Sequence, residues 1–336
     1  MYATGNKKML NMLILEILRE YTDETHSLTQ QEIIKLLKQN YGMECDRRSV
    51  KSNIESLKEL GYDISTEHGN RLLSREFDDA ELRILIDSVL FSRSISTRQA
   101  KGLIDKIRKL SSRYFNAKVS HVSNLPELHR TLNKQAMYSL DVINDAISEK
   151  KKISFIYNYV DTDFKLHPKK DYEYIVNPYQ IVANNGRFYL ICNTDKYNDI
   201  AHYRIDRMTN VRMLTEKIKP MKQVPEVAHG LNLPKHMAEH IYMFSGESVD
   251  VIMLAEKHLM TELVDWFGTD FRIMEETEDM LKICLRVNPG AMKYWALQYG
   301  PFVEVLKPMK LRNDIMEAVQ IMTNKYLKSL DSMKID

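Results

Sequence analysis

The stretch DRRSVKSNIESLKELGYDISTEHGNRLL, residues 46–73, decides the fold of the first part of the chain. Asp46 is placed to cap a helix. The apolar residues of this helix fall on one face and are Val50, Ile54, Leu57 and Leu60. Gly61 then ends the helix. A tip containing Gly69 separates two short β-like runs, 64–66 and 71–73, which predicts a hairpin.

Two further helices are predicted ahead of this stretch. Residues 7–21 carry apolar side chains at helical spacing, and Thr29 with Glu32 forms a capping-box pattern that opens a second helix. Gly42 offers a left-handed end for that helix. Three short helices followed by a hairpin within residues 1–75 are the layout of a winged helix-turn-helix domain.

The third helix has the two faces that DNA recognition requires. One face must be apolar to dock on the other helices, and the opposite face must be polar or basic to enter the major groove. The residues predicted to contact DNA are Arg47, Arg48, Lys51 and Ser52 on the helix, with His68, Asn70 and Arg71 at the hairpin. The alternative is a structural three-helix domain whose charged face is only solvated. Residues 1–75 carry 11 basic and 11 acidic groups, so the prediction depends on local clustering and not on bulk charge.

The rest of the chain predicts three further parts and an α+β multidomain protein. Residues 76–135 read as a helical linker with caps at Asp78 and Ser96. Residues 136–215 hold a short helix and several β-like runs, which predict a small β-barrel. Residues 216–336 begin with a connector, 216–247, and continue in the order β-α-β-β-α-β, which is ferredoxin-like.

Two motifs in residues 136–215 resemble WYL domains. GRFYLI, residues 186–191, resembles the Trp-Tyr-Leu signature with Phe188 in place of tryptophan, and YRIDRM, residues 203–208, is similar to the family's second motif. The proline of the NPY segment at 177–179 also sits where the family has one. GPFVEVLKP, residues 300–308, looks like the WCX extension that often follows. A winged helix ahead of these two modules is the usual order.

The resemblance implies a fold and a function. The barrel would be Sm/SH3-like, and the protein would be a non-enzymatic transcriptional regulator that binds a double-stranded DNA operator as a homodimer. Its effector would be a nucleotide or nucleic acid. The family often has arginines where this chain has Tyr174 and Ala201 or His202, which implies a weaker or altered anionic pocket.

The residues of the second motif themselves suggest an anion site. Arg204 lies between Tyr203 and Ile205, so it faces away from them on a strand. Guanidinium groups beside aromatic rings suit phosphate and base recognition. The predicted ligand-binding residues are Tyr157, Tyr189, His202, Arg204 and Arg207. His202 is expected to titrate near ~6.5. The alternative is an Arg204–Asp206 surface pair that only orders the strand.

One sequence pattern points to an enzyme instead. HMAEH, residues 236–240, fits the HxxEH pattern, in which His236 and His240 could share zinc and Glu239 could act as a general base. No third ligand is evident in the sequence, so a solvated helix face is favoured. No Walker loop, GxGxxG or GxSxG motif is present. We expect neither catalysis nor a cofactor, and a nucleic-acid adaptor without transcriptional output stays a further alternative.

Composition places few other limits on the protein. The chain has 336 residues, a formal net charge of +2 and 44% hydrophobic residues. Cys45, Cys192 and Cys284 are too far apart for a disulfide framework or a zinc ribbon. With no apolar run of about 18 residues and no signal-peptide pattern, the predicted location is cytoplasmic. Trp266 and Trp295 lie in apolar helical contexts and are predicted to be structural.

Overall fold

The computed structural model describes residues 7–118 and 131–332 of a mixed α/β protein with helices and curled antiparallel sheets. The chain divides into two compact units, residues 1–132 and 133–336. The helices predicted as a linker fall within the first unit, and the stretch 119–130 of that linker lies outside the described residues. No helix within the described ranges is both long and apolar enough to cross a membrane.

The first unit begins with three helices and a two-stranded sheet. These are α1 (Leu10–Tyr21), α2 (Gln30–Tyr41), α3 (Arg47–Glu59), β1 (Ile64–Ser65) and β2 (Arg71–Leu72). The predicted capping box is confirmed, because the Glu32 amide donates to Thr29 and the Glu32 carboxylate accepts from the Thr29 amide. Gly42 ends α2 at φ 65°, as expected. Contacts between near neighbours in the chain therefore set the ends of this helix.

The apolar faces of α1, α2 and α3 meet in one core. Ile14, Leu18, Ile33 and Val50 are buried there, together with Ile54 and Leu57. The prediction that Leu60 shares the inner face of α3 is wrong, since Leu60 is 72% exposed. The physical reason is that α3 ends at Glu59, so Leu60 lies at the helix end where the 3.6-residue repeat no longer fixes its direction.

Three more helices complete the described part of the first unit. They are α4 (Asp79–Phe91), α5 (Thr97–Arg108) and α6 (Arg113–Lys118). Asp78 and Ser96 cap α4 and α5 as predicted. At the start of α6, the Tyr114 ring stacks on His26 with a centroid separation of 3.6 Å, and the Arg113 guanidinium lies over the Tyr21 ring. These contacts attach α6 to α1 and to the loop that follows it.

The second unit begins with a helix and a six-stranded antiparallel sheet. The elements are α7 (Ala136–Glu149), β3 (Lys151–Val160), β4 (Leu166–Pro168), β5 (Tyr174–Asn184), β6 (Arg187–Asn193), β7 (Ala201–Arg204) and β8 (Met208–Lys217). The sheet has the order β4-β3-β5-β6-β7. Strand β8 stands outside this order and also pairs with β3, on the edge opposite β5. Strand β7 ends at Arg204. A 3-10 turn at Ile205–Arg207 then leads into β8.

The last part of the second unit is a four-stranded sheet with helices. Its elements are β9 (Val249–Glu256), α9 (Met260–Phe267), β10 (Arg272–Glu276), β11 (Met280–Val287), α10 (Pro289–Gln298), β12 (Val303–Lys307) and α11 (Met309–Ser332). The predicted β-α-β-β-α-β order is present, and the strands lie in the order β10-β11-β9-β12 with every neighbour antiparallel. Within the predicted connector 216–247, the structure adds a helix, α8 (Leu233–Glu239), which Asn232 caps.

Candidate nucleic-acid interface and effector site

The outer face of α3 presents a row of polar side chains. Arg47, Arg48, Lys51 and Ser52 are all exposed. The helix start is fixed because Asp46 accepts a hydrogen bond of 2.8 Å from the Ser49 amide. None of the three basic side chains forms an ion pair within residues 7–118. Their charges are therefore available to an anionic partner.

The hairpin tip has a different character from the helix. His68 is exposed, and its backbone is left-handed at φ 55°. Asn70 is buried instead, and its Nδ2 donates to the Leu28 carbonyl at 2.9 Å. Arg71 donates through Nη1 to the Glu24 carbonyl at 2.9 Å. Asn70 and Arg71, both predicted as DNA contacts, thus hold the hairpin against residues 24–28 because backbone carbonyls there need donors.

Arg204 lies on one face of the β6–β7 pair with residues of the first motif. Tyr189 is its directly opposite partner, so the two side chains share a face. Arg187 is two residues from Tyr189 and points the same way. Tyr203 and Leu190 take the other face, which packs into the core. The predicted parity of Arg204 is therefore observed, and alternation from Tyr189 could have added Arg187 to the predicted site.

A buried carboxylate joins the two arginines. Asp206, 4% exposed, accepts from Arg204 Nε at 3.0 Å, from Arg204 Nη2 at 2.7 Å and from Arg187 Nη1 at 2.9 Å. Burial, the largest single influence, lowers the pKa of the Arg204 guanidinium, but the hydrogen bonds and the charge of Asp206, with smaller contributions from Tyr189 and Tyr157, together raise it above its ordinary value. The Arg204–Asp206 pair, which the sequence suggested as the alternative to an anion site, is present. With two guanidiniums and one carboxylate, the cluster keeps one net positive charge, and each arginine side chain is 21% exposed.

Tyr157 packs against Tyr203, and Arg207 lies beyond the end of β7. The Tyr157 hydroxyl accepts a hydrogen bond of 3.3 Å from the Arg204 amide, and its ring meets Tyr203 edge-on at 5.0 Å. Burial raises the pKa of Tyr157. Arg207 follows the end of β7 in the 3-10 turn, and its buried Nε has no hydrogen-bond partner in the described residues.

His202 is not free to titrate as expected. Its Nε2 lies 2.8 Å from Nε2 of His236, and its ring centroid is 4.9 Å from that of His240. Burial first, and then the neighbouring imidazoles, lowers the pKa of His202 to about 2 and that of His236 to about 4. The expectation of a contact that titrates near ~6.5 is therefore wrong, because a buried imidazole loses the hydration that favours its charged form.

The HxxEH histidines gain an acidic neighbour from outside the motif. Glu239, the proposed base, lies 4.0 Å from Lys235 Nζ and 3.9 Å from Arg286 Nε. The acidic residue that joins His236 and His240 is Glu226, whose ligand atom lies within 4.8 Å of theirs. Sequence reasoning missed Glu226 because it is ten residues upstream in the connector. No pattern there marks it as a partner.

Comparison with known proteins identifies the class of the second unit's first part. Residues 139–213 match the WYL domain family. The recognition made from the two motifs is confirmed, and the chain contains a WYL domain. Residues 139–213 run from α7 through most of β8, so they include the Arg187–Asp206–Arg204 cluster.

A curated relative is named as an uncharacterized HTH-type transcriptional regulator, YobV, of Bacillus subtilis (strain 168). It is 23% identical to this chain over 189 residues. The aligned region is 55% of this chain and 54% of the relative, so the match spans about half the length of each.

Two solved structures match this chain at low structural similarity. Proteasome accessory factor B/C (PafBC) of Arthrobacter aurescens has a TM-score of 0.32 and 13% identity, covering 92% of this chain and 47% of the other. A CRISPR Cas-related protein has a TM-score of 0.40 and 14% identity, covering 76% of each chain.

Proposed function

We propose that this chain is a DNA-binding transcriptional regulator whose WYL domain senses a phosphate-bearing nucleotide or nucleic-acid effector. In this proposal residues 1–75 are a winged helix-turn-helix, 136–215 an Sm/SH3-like barrel and 216–336 a ferredoxin-like WCX module. The protein acts as a homodimer without catalysis. The WYL match and the likeness to an HTH-type regulator support the class.

The observation that carries the DNA-binding part is the outer face of α3. Three exposed basic side chains stand beside Ser52 on a helix whose other face is buried. Lys58 on this same helix pairs with Glu55, whereas the three basic side chains of the outer face have no ion pair among the described residues. The unpaired charges of Arg47, Arg48 and Lys51 fit phosphate and base contacts in a major groove. His68 at the hairpin tip is the additional backbone contact.

The effector part rests on the two arginines of the WYL domain. Asp206 holds both guanidiniums in place by three hydrogen bonds, which removes much of the entropic cost of ordering them around a ligand. Their exposed edges, next to Tyr189, offer fork-like donors to a phosphate and a ring for a base. Binding here would shift the balance between protein states that differ in operator affinity.

The experiment for DNA binding starts with selection of bound sequences from random duplex DNA, followed by anisotropy titration. Arg48→Ala is expected to weaken binding to the selected site by about 1–3 kcal/mol if Arg48 reads a base edge. Lys51→Ala is expected to weaken binding to the selected site and to random DNA by the same factor, and to make binding less salt-dependent.

Lys101→Ala is the matched control for both variants. Lys101 is an exposed lysine on α5 of the same unit, and its loss is expected to leave DNA affinity unchanged. Unchanged binding in both α3 variants would refute the interface. Binding of wild type to random duplex as strong as to any selected sequence would favour the adaptor alternative.

A further inference from the structure

Three histidines from two distant parts of the chain meet in the second unit. His202 comes from β7, while His236 and His240 lie on and just after α8. Their ring centroids are separated by 4.3 to 5.0 Å. His240 is completely buried, and His236 is 7% exposed. The fold thus brings a third imidazole, that of His202, close to the two histidines of the HxxEH pattern.

A carboxylate completes the group. Glu226 Oε1 lies 3.3 Å from His240 Nε2, and Glu226 Oε2 accepts from the Ile200 amide at 3.0 Å. The second contact orients the carboxylate toward the histidines. The Glu226 side chain is 23% exposed, so the cluster has one side open to small solutes.

The protonation of His240 leaves an unresolved contact. His240 Nδ1 lies 2.8 Å from the Phe244 carbonyl oxygen, and because a carbonyl only accepts, Nδ1 carries the proton. In a neutral ring, Nε2 then directs a lone pair at the Glu226 carboxylate. This Nε2 is buried and makes no hydrogen bond of ordinary geometry in the described residues. Two facing lone pairs need a cation between them, which is either a proton or a metal ion.

We propose that Glu226, His236 and His240 form a binding site for a divalent first-row transition metal ion, with Zn²⁺ as the best-fitting ion and the neighbouring His202 as a further ligand. Three imidazole nitrogens and one carboxylate oxygen are a four-ligand set typical of tetrahedral zinc. The His240–Phe244 hydrogen bond is the outer contact that metal-bound histidines almost always make, because it fixes the ring so that Nε2 faces the ion.

The ligand atoms of Glu226, His236 and His240 already lie within 4.8 Å of one another, and His202 must move to join them. Zinc with ligands about 2.0–2.1 Å away places neighbouring ligand atoms roughly 3.3 Å apart. The His240–Glu226 pair already has this spacing, at 3.3 Å. The His202–His236 pair, at 2.8 Å, must separate by about 0.5 Å for both nitrogens to bind one ion. Glu226 and His236 also line a cleft of about 800 Å³ through which the ion can enter.

The site has a structural consequence that does not depend on the proposed DNA binding. A bound ion would cross-link β7 to the segment that carries Glu226 and α8. His202 is two residues from Arg204 on β7, so the cross-link would also fix the strand that contributes Arg204 to the Arg187–Asp206–Arg204 cluster. The ion would be a structural or regulatory ligand of the second unit.

The experiment titrates ZnCl₂ into the full chain after tag removal and chelator dialysis, with calorimetry as the readout. Wild type is expected to bind one ion per chain and to melt at a higher temperature with zinc. Glu226→Gln keeps the size of a partly exposed side chain, and His236→Ala removes a ligand. Each is expected to lower zinc affinity by about tenfold or more. His229→Ala removes an exposed histidine of the same segment and is expected to change nothing.

A second readout separates a defined site from loose association. Co²⁺ in a four-coordinate nitrogen and oxygen site gives visible absorption bands that free Co²⁺ lacks. These bands are expected with wild type and His229→Ala, and to be lost with His236→Ala. Circular dichroism checks that each variant is folded. The proposal fails if folded wild type binds neither ion, or if Glu226→Gln and His236→Ala bind zinc as wild type does. The contact would then be held by a proton.

Discussion

Asp206 controls what the two arginines of the WYL domain can do. A carboxylate that is almost fully buried must be paired, and here it takes three hydrogen bonds from Arg187 and Arg204. The arginines are consequently held in one arrangement, in which each side chain stays 21% exposed. A cluster of this kind can order the sheet and bind an anion at once, so the two sequence-based interpretations of Arg204 do not compete.

The role of Arg204 in effector binding can be measured directly. Calorimetry with short single-stranded oligonucleotides and cyclic dinucleotides is expected to show binding to wild type and a loss of roughly 1.5–3 kcal/mol in Arg204→Ala, since charge-assisted hydrogen bonds are removed. Arg212→Ala is the control, because Arg212 is an exposed arginine of β8 in the same domain. Equal affinities for wild type and Arg204→Ala would remove Arg204 from the site.

Trp295 is the largest of the fully buried side chains in the described core. It packs edge-on against Phe267 at 4.9 Å between α10 and α9. Trp295→Ala is expected to lower the free energy of unfolding of the second unit by about 3–5 kcal/mol in urea denaturation. Trp266 is only partly buried and donates to the Tyr299 hydroxyl, so Trp266→Phe is expected to cost much less. A Trp295→Ala protein as stable as wild type would contradict this assignment.

At the scale of elements, the hairpin depends on one glycine. Gly69 has φ +111°, and a Cβ there would lie 2.6 Å from Ser27 Oγ. Ser27 itself donates to the His68 carbonyl, so the close approach fastens the hairpin to the loop before α2. Because only glycine meets both conditions, the hairpin's position beside α3 is set by the backbone of residue 69.

Gly69→Ala is expected to destabilise the first unit by about 1–3 kcal/mol, from backbone strain together with the contact on Ser27. Gly61→Ala is the matched control, since Gly61 has φ +95° but open space around a Cβ. It carries the strain without the contact. Thermal unfolding of both variants gives the difference. A smaller loss of stability for Gly69→Ala than for Gly61→Ala would show that the Ser27 side chain moves away from the added methyl group without destabilising the fold.

At the scale of the whole molecule, regulation requires that two sites be coupled. The coupling between two binding sites is reciprocal. If the effector changes the affinity for operator DNA by some factor, operator DNA must change the affinity for the effector by the same factor. We expect this factor to fall within about 5- to 150-fold. The measurement is effector calorimetry with and without saturating operator DNA. An effector that binds while operator affinity stays constant would exclude the regulatory mechanism.

Arg48→Ala serves as the control for that coupling. It is expected to keep the effector affinity of the free protein, because Arg48 lies in the first unit and the arginine cluster in the second. At a DNA concentration that saturates only wild type, the variant is expected to show no shift in effector affinity.

The sequence by itself determined the local features of this protein. Thr29 with Glu32, Gly42, Asp46, Asp78 and Ser96 mark helix ends because capping needs only neighbours within a few residues. Strand alternation likewise fixed the direction of Arg204 relative to Tyr203. The two WYL motifs lie close together in the chain, so the residues alone were enough to identify the domain.

Only the tertiary structure decided which distant side chains meet. Arg187 and Asp206 are 19 residues apart, and His202 and His236 are 34 apart. No periodic pattern connects such positions. The same holds for Asn70, whose polarity suggested DNA but whose partner is Leu28, 42 residues away. Burial supplies the physical reason in each case: a polar group removed from water must find a partner, and the fold, not the neighbouring sequence, determines which one is within reach.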